Sequence, residues 1–163
     1  MEPMIENSRR LQVLPATPSH ASYCRRADAD LGTDVIEAKI DRRELWVAEE
    51  SGRPVGYLRL EFLWSKLPYI GLIRVEPARR RRGVGKEMLL ALEKELSSRG
   101  HDQIFSSSQA DEPEPQAWHR KQGFQECGFF AGLNRHGIGE IFFRKAIPPG
   151  SRPEGEAAAV SGW

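Results

Sequence analysis

YIGLIRVEPARRRRGVGKEMLLALEKELSSRG, residues 69–100, decides the fold. An apolar, β-branched segment ends at Val75 and is stopped by Glu76-Pro77. Four arginines, Arg79 to Arg82, lead into Gly83-Val84-Gly85, and a helical pattern opens without a break. Val84, Met88, Leu89, Leu92 and Leu96 fall on one face of it. Strand, basic glycine-bearing turn and helix N-terminus in that order make an anion site. The first N–H groups of a helix have no intrahelical acceptor, and the positive end of its dipole points the same way. Glycine lets the backbone approach a ligand closely. The turn suits the pyrophosphate of a cofactor. Gly100 stands where a left-handed residue ends the helix, and Glu95 and Arg99 can pair one turn apart.

Working outward, Leu11 to Leu14 reads as a strand closed by Pro15. Thr17 or Ser19 can cap a helix reaching about Asp28, and a second helix covers Val35 to Arg42. Glu44 to Glu50 is a strand, Ser51 to Pro54 a turn, and Val55 to Trp64 a long strand. Leu58, Leu60, Phe62 and Trp64 share one face of that strand; Tyr57, Arg59 and Glu61 share the other. Downstream, Gln103 to Ser107 is a short strand. Asp111 and Glu114 have capping-box spacing around Pro113, so a helix should run to about Gln122. Gln125 to Ala131 and Gly139 to Lys145 are strands around an Asn134-Gly137 turn. The order is strand, two helices, three strands, helix, strand, helix, two strands. This predicts an α/β (α+β) fold with a mixed central sheet flanked by helices, and the three-strand meander argues against an ordinary doubly wound sheet. One domain is expected over 11–147, with a loose segment over 1–10. The Pro/Gly/Ala/Ser-rich stretch 148–163 is expected to be disordered.

With 163 residues, a single domain has enough chain for a sizeable core. The net charge of +1 makes the arginine run a local feature, so composition does not support bulk binding to nucleic acid or membrane. Two cysteines, Cys24 and Cys127, imply neither a disulfide framework nor a metal cage, and no metal site is expected. Each reads as a small buried hydrophobe in a reducing compartment. MEPMIENSRR lacks the apolar core of a signal peptide, and no apolar run is long enough to span a bilayer. The expected compartment is the cytoplasm.

Two motifs now converge. Arg80-Arg81-Arg82-Gly83-Val84-Gly85, preceded by Val75-Glu76-Pro77, matches an Arg/Gln-x-x-Gly-x-Gly/Ala turn between strand and helix. Trp118-His119-Arg120-Lys121-Gln122-Gly123-Phe124 is close to an aromatic-Tyr pair followed by Gly-Phe. Together with the element order, over roughly Leu11 to Lys145, they resemble the GNAT-type N-acetyltransferase superfamily. The resemblance implies a mostly antiparallel central sheet with the acyl-CoA N-acyltransferase topology, and acetyl-CoA as cosubstrate. It places the pyrophosphate at Arg80, Arg81, Arg82, Gly83, Val84, Gly85 and Lys86. The pantetheine arm would lie on the main chain of Ile73, Arg74 and Val75. Dipole and charge contributions at such a turn are about 0.3–1 kcal/mol each, and charge-assisted bonds from arginine add to them. Without its glycines, the run Arg79 to Arg82 would read as a nucleic-acid patch or a solvated face.

Acyl transfer from a thioester to an amine poses two proton problems. Neutralising a lysine-like ammonium at pH 7 costs about 4–5 kcal/mol, so a base is wanted. The departing thiolate is better protonated. The superfamily often uses a tyrosine as that donor; this chain has His119 there, and a protonated imidazole could donate downhill to a thiolate. The sequence singles out no base; Glu61, on the polar face of a central strand, is one candidate. Ser106, Ser107 and Ser108 at the end of a short strand, and Glu112, where relatives carry asparagine, are candidates for acceptor binding. Asp111 reads as a cap, and His136 and Glu140 border the last hairpin, an acceptor-side region in relatives. Cys127 has no activating base beside it in sequence, so an acyl-enzyme is discounted.

The expected reaction is direct attack by a primary amine, of a small molecule or a protein, on the thioester. A homodimer is compatible with this reading, and no membrane or nucleic-acid partner is expected. Two other classes stand beside it: a non-catalytic acyl-CoA- or partner-binding module of the same fold, and a nucleic-acid binder using Arg79 to Arg82.

Overall fold

The computed structural model describes residues 10–150. Expectations for 1–9 and 151–163 lie outside the described residues. Residues 148–150 are held against the domain, since Ser97 Oγ donates to Pro148 O at 3.2 Å and Gly150 N–H donates to Ser97 Oγ at 2.6 Å.

Among the described residues the strands are β1 (Leu11–Pro15), β2 (Leu45–Glu50), β3 (Arg53–Leu63), β4 (Leu67–Val75), β5 (Gln103–Gln109), β6 (Gln125–Phe130) and β7 (Glu140–Ala146). The α-helices are α1 (Ala21–Ala27), α2 (Thr33–Asp41), α3 (Val84–Ser98) and α4 (Pro113–Lys121). The strands form one sheet in the order β1-β2-β3-β4-β5-β7-β6. Neighbours are antiparallel except β4 and β5. Those two are joined through α3, the crossover that a parallel pair requires. This is the mixed, mostly antiparallel sheet expected.

Helices cover both faces. Met88, Leu89, Leu92 and Leu96 of α3 pack on Leu58, Leu60, Ile70, Ile104 and Phe143. On the other face Cys24, Ile36 and Ile40 of α1 and α2 pack on Leu45, Val47 and Tyr57. A fully buried Leu such as Leu92 contributes about 1.5–3 kcal/mol. The strand under the start of α3 needs a glycine. A Cβ on Gly56 would stand 2.7 Å from Met88 Sδ, 3.1 Å from Ala48 Cβ and 3.2 Å from Val84 Cγ1. Gly56→Ala is therefore expected to cost about 1–3 kcal/mol. Urea unfolding checks this as a lowered midpoint at unchanged slope.

Several local expectations are corrected. Trp64 does not share the face of Leu58 and Leu60: it sits in the β3–β4 turn at φ 51° and is 80% exposed. Tyr57, expected on a polar face, is fully buried because α1 and α2 cover it and Asp28 Oδ2 accepts from its hydroxyl at 2.8 Å. No Asp111–Glu114 capping box forms. With Pro113 in the first turn the N-cap falls on Glu112, which makes no side-chain cap bond. The chain before α1 first makes a 3-10 turn over Pro18–His20. Cys24 is buried but Cys127, on the edge strand β6, is exposed.

Two irregularities position the site. Arg59 pairs with Leu72 and Leu60 with Ile70, which leaves Gly71 as an extra residue in β4. Such a bulge switches the facing of the strand residues beyond it: Ile70, Ile73 and Val75 lie toward α3, while Leu72 packs toward α1 and α2. A Cβ on Gly71 would lie 2.9 Å from both Arg59 Nε and Glu61 Cγ. The second irregularity is that β4 and β5 pair only at Tyr69↔Phe105 and Ile70↔Ser106. Beyond these the carboxyl half of β4, Gly71 to Val75, keeps β3 on one side and has no ladder partner on the other. The sheet splits at the carboxyl ends of its parallel pair, the place where open sheets hold ligands.

Candidate active site

The split ends against the basic turn. Gly83 is the N-cap of α3 at φ 81°, ψ 4°, and makes no side-chain cap bond. The first main-chain bond of the helix runs from Glu87 N–H to Gly83 O at 3.0 Å. The N–H groups of Val84, Gly85 and Lys86 precede that ladder and face outward at the positive end of the dipole. The four arginines separate by role. Arg79 Nε donates to Glu50 Oε2 at 2.6 Å, tying the turn to β2, and Arg80 Nε donates to Val75 O at 3.1 Å. Arg81 and Arg82 are exposed. On the α1 side of the turn lies a cavity of about 580 Å³ lined by Tyr23, Arg26, Arg74, Glu76 and Arg80, among others. The Arg74 guanidinium donates to Ala27 O at 3.0 Å, so only the main chain of Arg74 borders the split.

The two sequence motifs meet. An ideal Cβ on Gly85 would be 3.4 Å from the Trp118 indole, so α4 approaches the first turn of α3. His119, the next residue, is 3% exposed and stacks on Phe143 with ring centroids 4.7 Å apart and planes 5° from parallel. Its Nδ1–H donates to Pro115 O at 2.7 Å, because a carbonyl can only accept, and Nε2 accepts from the Ser106 hydroxyl at 2.7 Å. Burial pushes its pKa below the ordinary 6.5. Both ring nitrogens of His119 are engaged, and desolvation disfavours the cation that proton donation to a thiolate would need.

Burial makes stability depend on pH. Below pH 6.5, the ordinary imidazole value, the unfolded chain binds a proton that the folded chain refuses at His119. Stability from this group is thus fully present above that pH and is lost as pH falls, by up to ~1.4 kcal/mol per unit, until the depressed folded pKa is reached. His119→Gln is expected to remove that component of the slope. Urea titrations of both proteins at about pH 5 and about pH 7.5 check it, and His101, which burial also lowers, is common to both.

Ser106 and Ser108 point to the α3 side of β5 and are buried. They do not end the strand, as expected, because pairing with β7 carries β5 on to Gln109. Among the described residues the buried Ser108 hydroxyl has no hydrogen-bond partner, and it lies past the point where β4 leaves β5. A buried hydroxyl of this kind is free to meet a group that enters the split. Glu112 is exposed at the N-cap of α4.

The other side of the same split carries a polar chain. Tyr69 Oη lies 2.6 Å from Ser107 Oγ, and Ser107 Oγ donates to Glu140 Oε1 at 2.5 Å. Asn134 Nδ2 donates to Glu140 Oε2 at 2.7 Å. Glu61, the carboxylate expected as base, is close by but differently occupied: Lys39 Nζ donates to its Oε2 at 2.8 Å and Arg59 Nε lies 3.0 Å from its Oε1. Lys39 also binds Glu44, and Arg59 binds buried Asp28 at 2.5 Å, so Glu61 belongs to a charge network that fastens α2 and the α1–α2 loop to β3. Sequence reasoning passed over Tyr69, Asn134 and Lys39. Tyr69 begins the stretch 69–100, and Glu140 borders the last hairpin. His136, at φ 60°, is exposed in the β6–β7 turn.

The sequence profile described as the acetyltransferase (GNAT) family matches residues 10–124. The mycothiol acetyltransferase of Clavibacter sepedonicus is 31% identical over 117 residues, which are 69% of this chain; the chain spans 37% of that protein. Among solved structures, Ard1 from Thermoplasma volcanium superposes with a TM-score of 0.74 at 14% identity, covering 84% of this chain and 97% of that one. The ribosomal-protein-S18-alanine N-acetyltransferase from Escherichia coli gives 0.71 at 15% identity, covering 85% and 94%. At these identities the two structures establish a shared fold.

Proposed function

Because the chain belongs to the acetyltransferase (GNAT) family, a family of acyltransferases, we propose that it moves the acetyl group of acetyl-CoA directly onto a primary amine of a small molecule or a protein. The observation that carries this reading is the parting of β4 from β5 beside the uncapped amides of α3. The split offers an unpaired strand edge at Ile73, Arg74 and Val75, against which the amide-bearing pantetheine arm can lie as an added strand. Its outer end meets the amides of Gly83, Val84, Gly85 and Lys86, with Arg81 and Arg82 free to add charge at the pyrophosphate. Its inner end meets the unpartnered Ser108 hydroxyl. Among the described residues no helix is long and apolar enough to cross a membrane.

In this reading His119 acts as a neutral orienting ring that holds Ser106 beside the thioester, rather than as a cationic acid. The acceptor approaches from the opposite side of the split, over Tyr69 and Ser107. The relative at 31% identity is named for mycothiol and a solved neighbour for the alanine of a ribosomal protein. The informative acceptor panel therefore spans small-molecule amines, peptides with N-terminal alanine and lysine side chains. The test is thiol release from acetyl-CoA over that panel. Amine-dependent release is expected. Tight acetyl-CoA binding with no transfer to any amine would replace the proposal with a non-catalytic binding module.

A further inference from the structure

We propose that the acceptor ammonium loses its proton along a relay of Tyr69, Ser107 and Glu140, with the Glu140 carboxylate as its terminus and Asn134 as the group that holds that carboxylate in place. The inference rests on the acetyl-transfer reading above and adds to it the identity of the base.

The relay is built from three strands. Tyr69 pairs with Phe105 in the last matched stretch of β4 and β5, and Ser107 is the first residue of β5 on Tyr69's side of the sheet beyond the last matched pair. Ser107 in turn pairs with Phe142 of β7, two residues from Glu140. The hydrogen-bond polarity is fixed from the carboxylate end. Glu140 Oε1 can only accept, so Ser107 donates to it at 2.5 Å; the Ser107 oxygen then accepts from the Tyr69 hydroxyl at 2.6 Å. The Tyr69 oxygen, donating to Ser107, keeps lone pairs with which it can accept from the ammonium. The second carboxylate oxygen is taken by Asn134 Nδ2 at 2.7 Å, so Glu140 is aimed at Ser107. Glu61, the neighbouring carboxylate, already binds Lys39 and Arg59. The charged groups whose field reaches Tyr69 are Glu61 and Arg59 from β3 and Glu140 itself, and the titratable His119 of α4 senses Glu140 from across the sheet.

The step balances. An N–H proton of the acceptor ammonium passes to Tyr69 Oη as the Tyr69 proton passes to Ser107 Oγ and the Ser107 proton to Glu140 Oε1. The freed nitrogen lone pair forms the C–N bond to the acetyl carbon, the C–S bond breaks, and the departing CoA thiolate takes the second N–H proton of the adduct, which leaves a neutral amide and the CoA thiol. Tyr69 and Ser107 end as they began, and the proton rests on Glu140. Tyr69 is the group that touches substrate; Ser107 and Glu140 act through it.

The experiment compares wild type, Glu140→Gln, Glu140→Asp and Ser107→Ala in the amine assay across pH, with acetyl-CoA affinity measured by calorimetry. Glu140→Gln and Ser107→Ala are expected to lower kcat about 10²–10⁴-fold near neutral pH, with unchanged acetyl-CoA affinity. The deficit should shrink at alkaline pH, where the amine deprotonates unaided, and Glu140→Asp should recover part of the rate. Unaltered kcat and pH profile in either Glu140→Gln or Ser107→Ala overturns the relay while leaving acetyl transfer standing. If Glu140→Gln fails to fold, Ser107→Ala alone decides. A wild type that acetylates no amine is assayed for acetyl-CoA hydrolysis, in which water must lose the same proton. Loss of hydrolysis in Ser107→Ala supports the relay, and absence of both reactions in wild type overturns the relay together with the proposed function.

Discussion

Phe143→Ala is expected to destabilise the domain by about 3–5 kcal/mol, a large share of the ~5–15 kcal/mol that holds a typical domain together. Phe143 is fully buried and sits at the centre of β7, paired with Ser106 of β5 and Glu126 of β6. Its ring forms the platform for His119, with Arg120 on the same surface at 5.9 Å from the centroid. Removing it opens a cavity under α4 and unseats the imidazole that orients Ser106. Urea unfolding should show a lowered midpoint at unchanged slope. A midpoint within error of wild type would mean that α4 does not depend on this contact.

The second large effect is on binding. Gly83→Val is expected to weaken acetyl-CoA affinity about 10–100-fold with the fold intact. Gly83 holds φ 81°, and a Cβ there would meet nothing within 4 Å, so the penalty is conformational rather than steric. A left-handed conformation costs an ordinary L-residue about 1–2 kcal/mol and a β-branched one more. If the turn relaxes to relieve that strain, the amides of Val84 to Lys86 swing away from the anion. Each ~1.4 kcal/mol lost is tenfold in affinity. Gly83→Asn, which tolerates this region, should lose much less. Arg79→Ala serves as the contrast: its guanidinium is bound to Glu50, so stability should fall while affinity holds. Calorimetric titration with acetyl-CoA distinguishes the three; a valine variant that binds like wild type would remove the turn from the cofactor site.

The elements that could be read from sequence are those whose cause is local. The apolar run ending at Val75, the stop at Pro77, the glycines at 83 and 85 and the Leu/Met stripe of α3 each act within a few residues, and each stands where expected. The boundaries that moved did so for tertiary reasons. β5 extends to Gln109 because β7 pairs with it throughout, and Tyr57 is buried because α1 and α2 close over a face that alternation alone marks as polar.

The candidate site divides along the same line. The sequence by itself determined a strand–turn–helix with free amides and positive charge, its partner motif at Trp118 to Phe124, and a mixed sheet. Only the tertiary structure decided which side chains are available for chemistry. The His119 cation is disfavoured because the ring is buried against Phe143, and Glu61 is bound because Lys39 arrives from α2. Tyr69, Ser107 and Glu140 lie far apart in the chain. Parallel pairing of β4 with β5 and antiparallel pairing of β5 with β7 bring them within hydrogen-bonding distance at the point where the sheet opens. Local sequence sets backbone shape through sterics and hydrogen bonding over a few residues. Protonation and polarity depend on what is buried alongside, and that is settled only when distant strands come into register.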